Sequence, residues 1–239
     1  MKALLFAALI SLSALSGPKL SSTAVLEKMY AKYHGKWHTS LTFNQTTQRY
    51  RNDSLLRTDT WYEHIVYPDL LRIDFGDKTS NGVIYRGDSS YVFRNNKVVR
   101  AGKGENELIF FLGGMYFKPF EQVLAHFAEL KFDLSKFHED TYNGKPVYVI
   151  GADKDGEKVT QLWIDKDKLV AVRYFKYDAN GKEEATFEQQ IPLKGGTWSE
   201  TFCKFYINDK LLQTETYHDV VPNLPTDKAI FDPSLLGNK

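Results

Sequence analysis

The chain has 239 residues, of which 42% are hydrophobic, 14% aromatic and 26% charged, and its formal net charge is +1. With 16 Phe, 14 Tyr and 4 Trp it is too rich in core-forming side chains to be intrinsically disordered. The near-zero charge gives no electrostatic case for nucleic acid as a partner, and the one cysteine excludes an intrachain disulfide framework.

In chain order, Lys2 precedes an apolar stretch over residues 3–15 that is broken only by Ser11 and Ser13. Ala14-Leu15-Ser16 then places small residues just before Gly17-Pro18. This is the pattern of a secretory signal peptide, residues 1–16, cleaved after Ser16 and too short for a membrane span. Its removal takes away Lys2 and leaves equal numbers of acidic and basic side chains on residues 17–239, expected to form a single exported domain. No cysteine stands in the cleavage region to carry a lipid anchor, and no later apolar run reaches membrane-spanning length.

Residues 20–34 read as a helix. Ser21 and Ser22 suit its cap, Val25, Leu26, Met29, Tyr30 and Tyr33 recur at three- and four-residue spacing, and Gly35 can stop it. Trp37, Thr39, Leu41 and Phe43 then alternate with His38, Ser40, Thr42 and Asn44, as a strand with two unlike faces requires. Leu71, Ile73 and Phe75 alternate with Arg72 and Asp74 in the same way. Residues 110–117 form a dense apolar run with two glycines that allow a bend. A second helix is expected over 118–130, with Pro119 in its first turn and Phe120, Val123, Leu124, Phe127 and Leu130 as its apolar stripe. Turn signals punctuate the rest: Asn81-Gly82, Gly87-Asp88, Asn95-Asn96, Asn143-Gly144, Asp155-Gly156, Asn180-Gly181 and Gly195-Gly196. Strands joined by such turns make an antiparallel meander, and so many in one sheet curl. The expected fold is mainly β with two or more helices: a curved antiparallel sheet with helices over its apolar face.

No residue pattern points to catalysis, a metal or a cofactor. His34 and His38 flank a helix-to-strand junction rather than one helical face, and no acid or cysteine partner follows at a diagnostic spacing. The 153–157 stretch Asp-Lys-Asp-Gly-Glu lacks the distal glutamate of a calcium loop and reads as a hairpin turn. Gly-x-Ser-x-Gly is absent, Cys203 lies among strand aromatics, Glu183-Glu184 reads as solvated, and Gly102-Lys103-Gly104 lacks the helix a phosphate loop needs. What remains is apolar excess. A curved sheet that its helices do not fill is a binding site for an apolar ligand, and a fully packed interior is the alternative.

Residues 37–45, Trp-His-Thr-Ser-Leu-Thr-Phe-Asn-Gln, follow a helix and end in Phe-x-Gln. Residues 67–75 read Tyr-Pro-Asp-Leu-Leu-Arg-Ile-Asp-Phe, and further hairpin segments lie at 86–93 and 162–173, with Phe231-Asp232-Pro233 near the C-terminus. Together these segments resemble the periplasmic outer-membrane lipoprotein carriers of the LolA/LolB-like family, whose Pro-x-x-x-Arg-x-aromatic strand pair is similar to 67–75, and the likeness runs from about residue 20 to 235. It implies an unclosed β-barrel covered by a helical lid made of the two helices, with an interior that receives acyl chains. It also implies acylated lipoproteins or lipids as cargo, an inner-membrane release complex and an outer-membrane receptor as partners, a periplasmic monomer, and no enzymatic activity or cofactor. Some family members hold the lid with an Arg before the strand proline; here that position is Tyr67.

By alternation, Leu41, Phe43, Ile73, Phe75, Phe93, Leu162 and Ile164 are expected to face the concavity, joined by Val123, Leu124 and Phe127 from the lid. Two other readings of the same residues are an envelope sensor or interaction module of this fold, and a lipocalin-type binder suggested by Gly35-Lys36-Trp37.

Overall fold

The structure is a computed structural model that describes residues 20–76 and 79–237; the expected signal peptide, residues 1–16, lies outside them. Helix α1, Ser22–Tyr33, begins where the Ser21 side chain accepts from the Ala24 N–H at 3.2 Å. It leads into strands β1 (Ser40–Arg51), β2 (Ser54–Val66), β3 (Leu70–Phe75), β4 (Gly82–Arg86), β5 (Ser89–Arg94) and β6 (Lys97–Lys103). Helices α2 (Glu107–Phe111) and α3 (Phe120–Glu129) follow, separated by a 3-10 turn at Gly114–Phe117. Then come β7 (Phe137–Tyr142), β8 (Lys145–Ile150), β9 (Gln161–Asp165), β10 (Ala171–Asp178) and β11 (Gly181–Glu188). A short ribbon of β12 (Ile191–Pro192) and β13 (Trp198–Ser199) precedes β14 (Phe202–Ile207) and β15 (Lys210–Pro222).

Thirteen strands form one antiparallel sheet in the order β6-β5-β4-β3-β2-β1-β15-β14-β11-β10-β9-β8-β7. The outer strands β6 and β7 do not pair with each other, so the sheet is an unclosed barrel, as expected from the sequence. Its tight turns sit largely where the Asn and Gly pairs lie. Asn95-Asn96 and Asn143-Gly144 adopt the positive φ that two-residue hairpins require. Asp155-Gly156 lies instead within a longer connection between β8 and β9, over residues 151–160. Gly82 and Gly181 open strands rather than sit in turns. The described residues include no helix long and apolar enough to cross a membrane.

Helices α1 and α3 pack over the concave face of β8 and β9. Val25, Leu26 and Met29 of α1, Val123 and Phe127 of α3, and Leu162 and Ile164 of β9 are all fully buried in one cluster. Aromatic rings fill the centre of that cluster: Phe111 lies 4.8 Å from Tyr174 and Phe127 lies 5.0 Å from Phe132, centroid to centroid. On the opposite face, Ile84 and Phe93 pack under Phe231 of the C-terminal segment. The Arg72 and Asp74 face of β3 is therefore not left to solvent. The two side chains form a buried ion pair at 2.9 Å, and Arg72 also donates to the Ile230 carbonyl at 2.9 Å.

Candidate apolar binding cavity

Neither α1 nor α3 reaches the concave face of β1–β3 and the adjoining β14 and β15, and a cavity of about 230 Å³ remains there. Leu41 and Phe43 of β1, Trp61 and Ile65 of β2, and Leu71 and Ile73 of β3 form its floor. Period-two alternation puts all six on one face. Leu108, Ile109 and Leu112 from α2 and the residue after it form the roof. A wider cleft of about 490 Å³ shares Asn106, Leu108, Phe205 and Gln213 with this cavity and opens past Tyr85, Glu107 and Glu183.

The roof is pinned on both sides. Asn106 caps α2 by accepting from the Leu108 N–H at 3.1 Å. The buried Tyr67 hydroxyl donates to the Leu112 carbonyl at 3.1 Å, and its ring stacks on Phe117 at 5.6 Å. Gly113, at φ +150°, packs so closely against the Trp37 indole and the Tyr67 ring that an added Cβ would come within 2.8 Å of Tyr67 Cε1. At the other end, Glu107 accepts from the Tyr174 hydroxyl at 2.7 Å and from Lys176 Nζ at 2.6 Å. His126 of α3 bridges Glu105 at 3.0 Å and Glu129 at 2.9 Å, and lies edge-on to Phe110.

Three carboxyls also line the cavity: Glu63 of β2, Glu200 and Glu215 of β15. Glu63 and Glu200 are each 8% exposed, and Glu63 makes no hydrogen bond or ion pair among the described residues. Glu215 is better supplied, accepting from Gln213 Nε2 at 2.6 Å and the Tyr217 hydroxyl at 3.1 Å. Burial pushes the Glu63 carboxyl well above the ordinary carboxylate range, and Glu215 and Glu200 push it further the same way. Burial likewise raises Glu200, to about 7. It raises Glu215 too, opposed by the hydrogen bonds from Tyr217 and Gln213 and by the charge of Arg49. Cys203, beside them, has its thiol pushed well up by burial and by these acids, which is unsuited to a nucleophile.

Leu41, Phe43 and Ile73 are the expected site residues that the structure brings together around the cavity. Phe75 stacks on Trp61 at 4.7 Å and borders a separate depression with Arg49 and Arg57. Phe93 lies on the other face, with Ile84 and Phe231. Val123, Phe127, Leu162 and Ile164 are fully buried in the packed cluster, with Leu124 partly buried against it. The helical part of the lining thus comes from α2, a helix that the sequence patterning did not separate from its apolar run, rather than from α1 or α3. The three carboxyls were not foreseen either, although Glu63 falls in phase with Trp61 and Ile65 on β2.

His34 and His38 engage different partners: the Tyr116 carbonyl at 2.9 Å and Thr197 Oγ1 at 3.0 Å. Burial pulls the His38 imidazole down to about 4. Among the described residues no group of three His, Cys, Asp or Glu side chains is placed to hold a metal ion.

No family model matches the chain, and no curated protein does. Solved structures do. A DUF1329 family protein from Desulfovibrio piger is 14% identical and aligns with TM-score 0.61 over 90% of this chain and 97% of its own. A Vibrio parahaemolyticus domain described as an outer membrane lipoprotein-sorting protein domain is 11% identical, with TM-score 0.59 over 90% and 97% of the two chains. A LolA superfamily protein from Nitrosomonas europaea is 10% identical, with TM-score 0.53 over 90% and 98%. At these identities the likeness is one of fold, and that fold is LolA-like.

Proposed function

We propose that the protein is a periplasmic carrier that takes the acyl chain of a lipoprotein or lipid into the cavity beneath α2. It would act by binding and release, without catalysis, passing its cargo from the inner membrane towards the outer membrane. The observation that carries this reading is the cavity itself: α1 and α3 pack over β8 and β9, while a hollow lined by Leu41, Phe43, Ile73 and Leu108 remains over β1–β3. Burying methylenes there would contribute roughly 0.8 kcal/mol each, so a single chain supplies a substantial driving force. The LolA-like fold and the signal-like residues 1–16 support the location and the class of cargo.

The wider cleft past Tyr85, Glu107 and Glu183 offers the way in, and movement of α2 would widen it. The Tyr67 hydroxyl on the Leu112 carbonyl and the Lys176 ammonium on Glu107 are the contacts that hold α2 down. Tyr67 thereby stands in the place where some members of the resembling family use an arginine to hold the lid, and does so through one neutral hydrogen bond.

Trp61 on the cavity floor provides the test. A fatty alcohol brominated near the end of its chain should quench tryptophan fluorescence on binding. Trp61→Phe should remove most of that quenching while calorimetry still detects binding, and Leu108→Asp should weaken binding with an unchanged circular dichroism spectrum. Quenching that persists in Trp61→Phe, together with full affinity in Leu108→Asp, would place the ligand elsewhere and refute this reading.

A further inference from the structure

A purely apolar chain leaves the cavity's most unusual feature unused. Glu63 is buried, lines the hollow, and has no hydrogen-bond or ion-pair partner among the described residues. Glu200 lines the same hollow and is 92% buried by the same measure, an exposure of 8%. An unpaired buried carboxyl costs free energy in either state: ionised, it lacks hydration, and neutral, it lacks a partner for its hydroxyl. A merely greasy pocket would be better served by leucine at these positions.

The nearby positive charges face other groups. Arg49, over the Trp61 ring at 5.3 Å, acts on Glu215, Arg100 acts on Tyr85, and Lys176 at the outer cleft is bonded to Glu107. The remaining titratable groups around Glu63 and Glu200 are Glu215, Tyr67, Tyr85, Tyr217 and Cys203, none of which supplies a cation. The way in is acidic too, since Glu105, Glu107 and Glu183 border the outer cleft.

We infer that the cargo is a cationic amphiphile, whose chain lies on Leu41, Phe43 and Ile73 and whose ammonium group is received by Glu63 and Glu200. This inference rests on the carrier reading and names the head group that the same cavity selects. A primary amine is charged up to about pH 10, as a lysine side chain is. In the hollow it supplies the hydrogen-bond donors and the charge that Glu63 lacks. The same acids oppose entry of an anionic head group such as a phosphate or a carboxylate, so discrimination comes from repulsion as well as attraction.

The test compares decylamine, decanol and decanoate, three ligands with one chain and different heads, by calorimetry on the protein at pH 7. Decylamine is expected to bind about tenfold more tightly than decanol, the size of one charged hydrogen bond, and decanoate more weakly than either. Amine binding should release protons, read as a dependence of the heat on the ionisation enthalpy of the buffer, because carboxyls that are protonated in the empty cavity must ionise to meet the ammonium. Glu63→Gln and Glu200→Gln should each lower decylamine affinity and leave decanol affinity in place. If decanol binds as tightly as decylamine, or amine binding releases no proton, the head-group inference fails while the carrier reading stands. If none of the three ligands binds, both fail.

Discussion

Glu63 and Glu215 stand at positions where β strands ordinarily present apolar side chains to a core, and Glu200 lies buried in the link between β13 and β14. For Glu200 the consequence for stability has a definite sign. Its carboxyl titrates near 7 in the folded chain against an ordinary value of 4.5, because burial favours the neutral form. The folded state therefore holds that proton more tightly than the unfolded chain. The resulting stabilisation is complete below pH 4.5 and is lost as the pH rises through 7, by on the order of 3 kcal/mol in all. Glu200→Gln stays neutral throughout, so its melting temperature should exceed that of the natural protein by more at pH 8 than at pH 5. Melting curves that shift in parallel between the two proteins would mean that Glu200 is ionised in the fold. The sequence held a sign of this chemistry in β2, where Glu63 shares the phase of Trp61 and Ile65. The expectation of solvated acids at Glu183-Glu184 fails for a related reason: Glu184 is buried on β11, where it pairs with Arg173 at 2.7 Å and Lys182 at 3.0 Å.

Among the elements, α2 and the turn after it decide whether the cavity is open. Gly113 is the tightest point of that segment, with φ at +150° and its Cα face against the Trp37 indole and the Tyr67 ring. Gly113→Ala would introduce both a disfavoured backbone conformation and a steric overlap, a destabilisation of about 1–3 kcal/mol or more. The expected signature is a lower urea midpoint together with faster amide exchange over residues 107–117; unchanged protection there would show that the segment is not held by this contact. Helices α1 and α3 were legible because ten or more residues give three turns of periodicity and recognisable ends at Ser21 and Pro119. The five residues of α2 span little more than one turn, and every one of 108–112 is apolar, so no stripe distinguishes helix from strand or loop. Strand alternation has a related limit. It correctly groups Leu71, Ile73 and Phe75 on β3, but it cannot say which face of β5 meets what. Phe93 turns to the side covered by Phe231, a residue well over a hundred positions later in the chain.

At the scale of the molecule, the decisive property is that a 13-stranded sheet has more concave surface than three short helices cover. The meander itself was readable from hairpin turns such as Asn95-Asn96 and Asn143-Gly144, because their positive φ fixes a tight reversal locally. The division of one apolar face into a filled part and a hollow part was not. Leu162 and Ile164 carry the same alternation as Leu41 and Phe43, and only the landing place of α1 and α3 separates core from cavity. Packing at that distance is a three-dimensional sum that no local pattern contains. Native mass spectrometry of the protein, purified without detergent and followed by lipid extraction, tests the hollow directly. A population carrying a bound amphiphile, released on denaturation and restored by added lipopeptide or alkylamine, is the expected result. A single apo mass that takes up neither added ligand would mean that the cavity does not serve as a binding site.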